Sequence, residues 1–432
     1  MSHDTGTVRG PGHRPGPDEH TAAARRVLLT PDDPGTLPVE LRITAAARAA
    51  ERTGQHRLAA RYRAMAPAAV PAPASAPVSA AVPAALAAAV VDFTDRVTLD
   101  PAGTGPTTLR DVTVHGLDAP AVVALAQICA FVAYEARVAS GLALLAGGPA
   151  AEPEPEPVRE PAAGSAPQTA PLPAAPHAPE AGRFTLNRLT WRPRVPAVDA
   201  DALTEAQRAV IDAHPTLSAA SPYYRTLLHD PAALDHRTYV YDAIMYGRGG
   251  LPRAERELAT LLVSRVNGCV YCASVHGRKY AQLVRDEAAA LRVLDRGGEA
   301  LAGDVRGTAL ARFTEAQTRT PPAATGQDVA ALRAAGFDDA ELTGLVHAVA
   351  LFGWANRLML VLGDAHDDTQ ADVDVHDDTQ AAAHAHAHEG HEGDAPAAMP
   401  HPARTLDAGI PRTDARESCS RTSVPAPRTD GA

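Results

Sequence analysis

Aromatic residues are scarce in this chain, with 2 Trp, 9 Tyr and 6 Phe among 432 residues. Large aromatic side chains supply much of the apolar area that a core buries, so their distribution marks where a core can form. Thirteen of the 17 lie between Phe184 and Trp354, and none falls in residues 135–183 or 365–432. Length alone predicts roughly three domains at about 150 residues each. Against that stand 38 prolines, 32 glycines and long Ala/Pro/Asp/His stretches, which have little to bury and predict disorder. One well-packed domain, a poorer one before it and flexible connections are expected.

Other absences exclude whole classes. No Lys/Arg-rich cluster occurs and the formal net charge is -11, whereas a nucleic-acid binder needs a basic face to neutralise phosphates. The opening residues, MSHDTGTVRGPGHRPGPDEH, lack the apolar core of a signal peptide. The longest apolar stretch, around Ala119 to Ala133, is interrupted by Pro120 and Gln127 and is shorter than the roughly 20 residues a membrane helix needs. A soluble cytoplasmic protein with no nucleic-acid or membrane partner is expected. The 4 cysteines are too few for a disulfide scaffold. Two of them, Cys269 and Cys272, form a C-x-x-C, which in a reducing compartment points to redox or metal chemistry.

What is present divides the chain. Residues 1–26 read as a disordered leader. Residues 147–183 are Pro/Ala/Glu-rich and aromatic-free, as in an extended linker, and Ala66 to Pro83 reads as a loose connection inside the first unit. From 365 onward HDDTQ occurs twice before a run of AHAHAHEGHEGD, which predicts a disordered tail. The ordered portions read as distant copies of one unit. Leu37-Pro38, Arg42, Ala45, Gly54 and Ala59 recur 214 positions later as Leu251-Pro252, Arg256, Ala259, Gly268 and Ala273. Phe93-Thr94, Thr98, Pro101, Gly116, Asp118, Leu125, Ala130 and Arg137 recur 220 positions later, ending at Arg357. Gly, Pro, Phe and Arg holding one register over that span predict a duplication.

Periodicity in both copies is helical. Leu258, Leu261, Leu262 and Val266 fall on one side of a helix over Glu255 to Val266. Asn267-Gly268 interrupts it, and Asn267 as an N-cap predicts a second helix from Gly268 to about Val284. A short helix is expected over Gln327 to Ala335. Asp338-Asp339 opens a further helix to Leu362 whose middle is almost wholly apolar, as for a buried helix. No alternating apolar run stands out, so the expected fold is all-α.

The segment Glu257 to His276 carries the chemistry. On a helix starting at Asn267, Cys269, Cys272 and His276 form a stripe, since residues three and four apart are neighbours. The first turn favours an anion, so a thiolate there should have a lowered pKa. A second thiol one turn away can close a disulfide once the first is oxidised. Glu257 on the preceding helix, packed antiparallel, can reach His276, and a carboxylate that polarises a His that deprotonates a thiol is a known arrangement for activating a nucleophile. Each piece also has an ordinary reading. A C-x-x-C is often zinc-binding, but zinc takes four ligands, no second Cys/His pair is near, and Cys269 and His276 stand about 10 Å apart along a helix axis. Tyr271 on its own fits a core position, and Glu257 a solvated one.

E-x11-C-x-Y-C-x3-H resembles the active-site signature of the alkylhydroperoxidase D and carboxymuconolactone decarboxylase superfamily, specifically its peroxidase branch. Glu257, Cys269, Tyr271, Cys272 and His276 fall on its positions without a gap, and the flanks from about 200 to 364 look like those of peroxidase-related members. The resemblance implies an all-helical fold, homo-oligomers and cofactor-free, metal-free thiol peroxidase activity on small organic hydroperoxides. It also implies the roles: peroxidatic Cys272, resolving Cys269, a Glu257/His276 proton relay, and Tyr271 lining the site. The partners it implies are a hydroperoxide and an external dithiol reductant of dihydrolipoyl or thioredoxin-like type. Other readings are a lactone decarboxylase-type lyase, which needs no dithiol, and a non-enzymatic redox sensor.

The duplicated register pairs Glu257 with Ile43, Cys269 with Gln55, Cys272 with Leu58 and His276 with Tyr62, so every reactive group is missing from the first copy. The expected domains are thus a leader (1–26), a degenerate decarboxylase-like unit (27–146), a linker (147–183), a catalytic alkylhydroperoxidase-like unit (184–364) and a tail (365–432). Cys129 reads as a buried small hydrophobe, Cys419 as incidental, and His347 and Trp354 as core or interface residues. His384, His386, His388 and His391 of the tail have the spacing of flexible metal ligands, but in low-complexity sequence.

Overall fold

The computed structural model of the chain describes residues 17–66, 82–149, 184–215 and 217–367. In chain order the first part contributes α1 (Pro17–Leu29), α2 (Val39–Arg52), α3 (His56–Arg63), α4 (Ala84–Leu99), α5 (Pro106–Thr113) and α6 (Ala119–Leu145). The second contributes α7 (Glu205–Ala213), α8 (Pro222–Leu227), α9 (Pro231–Tyr246), α10 (Arg253–Val266), α11 (Val270–Val284), α12 (Glu287–Arg296), α13 (Val305–Thr318), α14 (Gly326–Ala334) and α15 (Asp339–Leu362). Among the described residues the fold is all-α apart from one sheet of two short strands.

Helices α6 and α15 form the centre. Each opens on an aspartate: Asp118 Oδ1 accepts from the Ala121 amide at 3.0 Å, and Asp338 Oδ1 from that of Glu341 at 2.8 Å. Such caps satisfy backbone donors that a helix start leaves unpaired. Their apolar faces pack on each other, and Trp354 donates through Nε1 to Gln127 Oε1 at 2.9 Å while its ring meets that of Phe131 edge-on at 5.1 Å. Gly353 lets α6 come close, because a Cβ there would stand 3.1 Å from Cδ of Arg137. By length and composition both helices are apolar enough to cross a membrane, and 89% of the apolar window of each is buried inside the protein. The unbroken helix Ala119–Leu145 is 27 residues long, because Pro120 sits in the first turn, where no backbone N–H is needed, and Gln127 accepts through Oε1 from Trp354.

Several expectations are corrected. The leader is helical from Pro17, since α1 buries Ala24, Leu28 and Leu29 against its neighbours. Asn267 caps the end of α10 rather than the start of α11, which begins at Val270 with Cys269 at its N-cap. Gly268, at φ 73, makes the turn between them. Strand β1 (Thr190–Pro193) pairs antiparallel with β2 (Gly363–His366), so Ala365 and His366 belong to a sheet and not to a tail. Four-residue strands are too short to display alternation. This pair is held by side chains: Trp191 Nε1 donates to the Met359 carbonyl at 3.1 Å, and Arg194 forms an ion pair with Asp364. The first leader residues, most of Ala66–Pro83, most of the linker and most of the tail, with Cys419 and the four tail histidines, lie outside the described residues.

Candidate active site

Arg256 fixes the entry to α10. Its guanidinium donates to the carbonyls of Leu251 (2.6 Å), Met245 (3.2 Å), Gly247 (2.8 Å) and Gly249 (2.5 Å), so the loop before the helix has little freedom. Glu257 follows on the inner face and is fully buried. The antiparallel α10–α11 pair brings His276 to it, with His276 Nδ1 2.5 Å from Glu257 Oε2. An ionised carboxylate only accepts, so Nδ1 carries the proton and Nε2 is left as the basic atom of the ring. Arg253 Nε donates to Glu257 Oε1 at 2.8 Å. Burial alone would raise the Glu257 pKa, but His276, Lys279 and Arg253 outweigh it and hold the carboxyl at about 2. Burial pulls His276 below its ordinary value even against the pull of Glu257. Besides the imidazole itself, Lys279 and Arg253 are the cations beside Glu257.

Both thiols are reduced and buried. Cys272 falls in the first turn of α11, since that helix begins at Val270, yet the pKa of its thiol is not lowered. The hydrogen-bonded thiol of Cys269 and burial push it well up, against the opposing effects of Asn356 and Arg237. The local cost of desolvating a thiolate exceeds what a helix start supplies. Cys272 at rest is a thiol that needs a base.

Cys272 and His276 line one small cavity of about 50 Å³ together with Tyr223, Arg237, Tyr271 and Phe352. Its walls are mainly aromatic and aliphatic, and Phe352 meets the His276 ring edge-on at 4.5 Å. Cys269 lines a different cleft, of about 560 Å³, with Asn187, Trp191, Arg194 and Asp364. Tyr271 and Met359 border both. Tyr271 is half-buried and burial raises its hydroxyl to about 12, so it stands as a neutral wall between the two thiol-bearing spaces.

Of the five residues singled out from sequence, Glu257 and His276 are hydrogen-bonded, the two cysteines are in contact, and Cys272, His276 and Tyr271 share the cavity. Sequence reasoning passed over Arg253, Arg237 and Asn356. Arg253 stands four residues before Glu257, a visible helical pairing. Arg237 lies on the stripe Leu234, Arg237, Thr238, Tyr241, where a charge on an apolar face is the signal. Asn356 carries no such mark; its amide donates to Ser264 at 3.1 Å in the core.

In the first part, Tyr62 is fully buried and donates to Glu135 Oε2 at 2.7 Å, while Arg25 Nε donates to the same oxygen at 3.0 Å. Among the described residues no group of three or more His, Cys, Asp or Glu is arranged to hold a metal ion.

These features define a class: an all-helical protein with a buried dithiol beside a histidine–carboxylate couple. Residues 231–297, which include α9, α10 and α11, match the family model described as the Carboxymuconolactone decarboxylase family. The chain is also similar to a crystal structure of an uncharacterized peroxidase-related protein from Silicibacter sp. TM1040, at 26% identity over 31% of this chain and 69% of that one, with a TM-score of 0.29. No curated protein matches the chain.

Proposed function

We propose that the protein is a thiol peroxidase that reduces small organic hydroperoxides. The observation that carries this reading is the couple of His276 and Glu257 at 2.5 Å, opening on the cavity that holds Cys272. The His276 ring, neutral and with Nε2 free, takes the Cys272 proton as a hydroperoxide enters, and Glu257 stabilises the imidazolium that forms. The thiolate attacks the outer peroxide oxygen, the O–O bond breaks, and the departing alkoxide takes the proton back from His276 and leaves as an alcohol. Cys272 is then a sulfenic acid. The Cys269 thiol attacks its sulfur, water leaves, and a Cys269–Cys272 disulfide forms. An external dithiol reduces this disulfide by exchange, reaching Cys269 through the wider cleft. The aromatic walls of the cavity suit an apolar substrate and exclude bulk water from the thiolate.

We propose further that residues 27–146 are a degenerate copy of the unit in 184–364. Tyr62 and Glu135, at the positions paired with His276 and Ala355, fill with a closed hydrogen bond the space that the second copy leaves open. Such a copy cannot run thiol chemistry, and its role is to cover the catalytic unit as a second subunit otherwise would. Association of whole chains into homo-oligomers belongs to the same reading.

The test is hydroperoxide consumption with dithiothreitol or a dihydrolipoyl donor. Turnover that is lost in Cys272→Ser supports the reading. The family match gives one alternative some standing, a lactone decarboxylase-type lyase; such an enzyme ignores peroxide and survives loss of either cysteine. A redox sensor oxidises once and does not turn over.

A further inference from the structure

Arg237 is a buried cation with no anion. It projects from α9, is only 5% exposed, and its Nε has no hydrogen-bond partner. Its neighbours are rings: the guanidinium carbon lies 5.9 Å from the centre of Tyr223 and 5.8 Å from that of Trp354. Aromatic faces attract a cation, but each contributes about 0.5–2 kcal/mol, whereas an unpaired buried charge costs several. Arg137 and Arg357 also leave a buried Nε unpaired, but their terminal nitrogens donate to backbone carbonyls, and Arg256 is satisfied by four carbonyls; Arg237 makes no such bond. Arg237 is left open at the wall of the cavity that holds Cys272. That lining also includes Lys279 and His276 and contains no carboxylate. Lys279 reaches only the Tyr246 hydroxyl, at 3.4 Å, and the charge of Glu257 is engaged by Arg253 and His276 behind the wall.

We infer that the substrate carries a carboxylate and that Arg237 binds it, so the preferred substrates are small hydroperoxides of carboxylic acids rather than neutral alkyl hydroperoxides. This rests on the thiol peroxidase reading. A planar guanidinium takes a carboxylate through two parallel hydrogen bonds, which fixes the orientation of the molecule as well as its place. The cavity is small, about 50 Å³, so the acid is short-chained. Its hydroperoxide end is then directed at Cys272 while its apolar atoms lie against Phe352 and Tyr223. Arg237 is a specificity residue here, and the chemistry at sulfur stays with Cys272 and His276.

The experiment compares 3-hydroperoxy-3-methylbutanoate with tert-butyl hydroperoxide, which differ in the carboxylate, using the full-length chain. The wild type should favour the acid in kcat/KM by about 10- to 100-fold, mostly through KM, as a charge-assisted pair predicts. Arg237→Met should bring the ratio of the two substrates close to one, and Arg237→Lys should recover part of it. A wild type with no preference, or an Arg237→Met variant that loses both substrates in the same proportion, overturns the inference; the latter makes Arg237 a thiolate stabiliser instead. In parallel, butyrate should raise the melting temperature of the wild type more than butyramide does, and should lose that advantage in Arg237→Met. A protein that consumes neither hydroperoxide refutes the peroxidase reading, and the butyrate comparison then decides the anion site separately. Equal effects of butyrate and butyramide count against it.

Discussion

Arg137 and Arg357 each reach into the other's half of the fold: Arg137 Nη2 donates to the Thr318 carbonyl at 2.5 Å, and Arg357 Nη2 to the Thr98 carbonyl at 2.8 Å. The two also share the hydroxyl oxygen of Thr320, at 2.9 and 3.1 Å. Residues 137 and 357, like 98 and 318, are partners under the 220-residue offset read from sequence. Both guanidiniums are buried, and burial together with the neighbouring arginine lowers the pKa of Arg137. The exchange of contacts is what two copies related by a twofold axis would make, and it supports the duplication proposed above.

These ties predict a stability cost. Replacing either arginine with Met orphans buried carbonyls and removes charge-assisted hydrogen bonds worth about 1.5–3 kcal/mol each. Urea denaturation should show a loss on the order of 3 kcal/mol for Arg357→Met and a similar loss for Arg137→Met. The double variant should lose less than the sum, because Thr320 is common to both. Loss within about 0.5 kcal/mol for both single variants, as at an ordinary surface site, would mean that the two halves are not held together here.

Glu257→Gln should slow the reaction with hydroperoxide by about 10²- to 10⁴-fold, the usual worth of general base assistance. The wild-type kcat/KM should rise with pH through a value below 6.5, since burial depresses His276 and the ring must be neutral to accept a proton. Stopped-flow rates between pH 5 and 9 check both points. A profile that rises only above pH 8 would mean that Cys272 ionises without His276.

The same carboxylate links stability to pH. Glu257 is held at about 2 against an ordinary 4.5, so it binds fewer protons folded than unfolded. Its contribution is therefore complete above about pH 5 and is lost as pH falls toward 2. Folding free energies of wild type and Glu257→Gln should differ by a constant amount above pH 5 and converge below it. A difference that stays constant down to pH 3 would show that Glu257 has the same pKa folded and unfolded.

The two openings predict that the half-reactions can be separated. Asn187→Trp, at the exposed rim of the wider cleft, should slow reduction of the Cys269–Cys272 disulfide by a dihydrolipoyl donor about tenfold or more, while oxidation by hydroperoxide proceeds at its wild-type rate. Phe352→Trp, which crowds the small cavity, should do the reverse. Equal slowing of both half-reactions by Asn187→Trp would mean that one opening serves both.

How much of this was legible depends on whether the determining contact is local. Helix α15 could be drawn from sequence to within a residue, because Asp338, Glu341 and an apolar run ending at Leu362 are all local signals. Glu257 and His276 were legible for a similar reason, since two consecutive helices joined by a tight turn have few ways to pack. Sheet β1–β2 was not, because Trp191 meets Met359 and Gly363 across more than 160 residues of chain. The start of α11 was misplaced because Asn267 is claimed by Asn356, to which its amide donates at 3.0 Å. The raised pKa of Cys272 was hidden too: helix position is local, but desolvation comes from the whole core.

The most direct test of the account is a single turnover of reduced protein with one equivalent of hydroperoxide, followed by mass spectrometry, in the wild type, Cys269→Ser and Cys272→Ser. The expected products are an intramolecular disulfide in the wild type, a sulfenic acid trapped at Cys272 in Cys269→Ser, and unconsumed hydroperoxide in Cys272→Ser with the fold intact by circular dichroism. Hydroperoxide reduced at the wild-type rate by Cys272→Ser would contradict it.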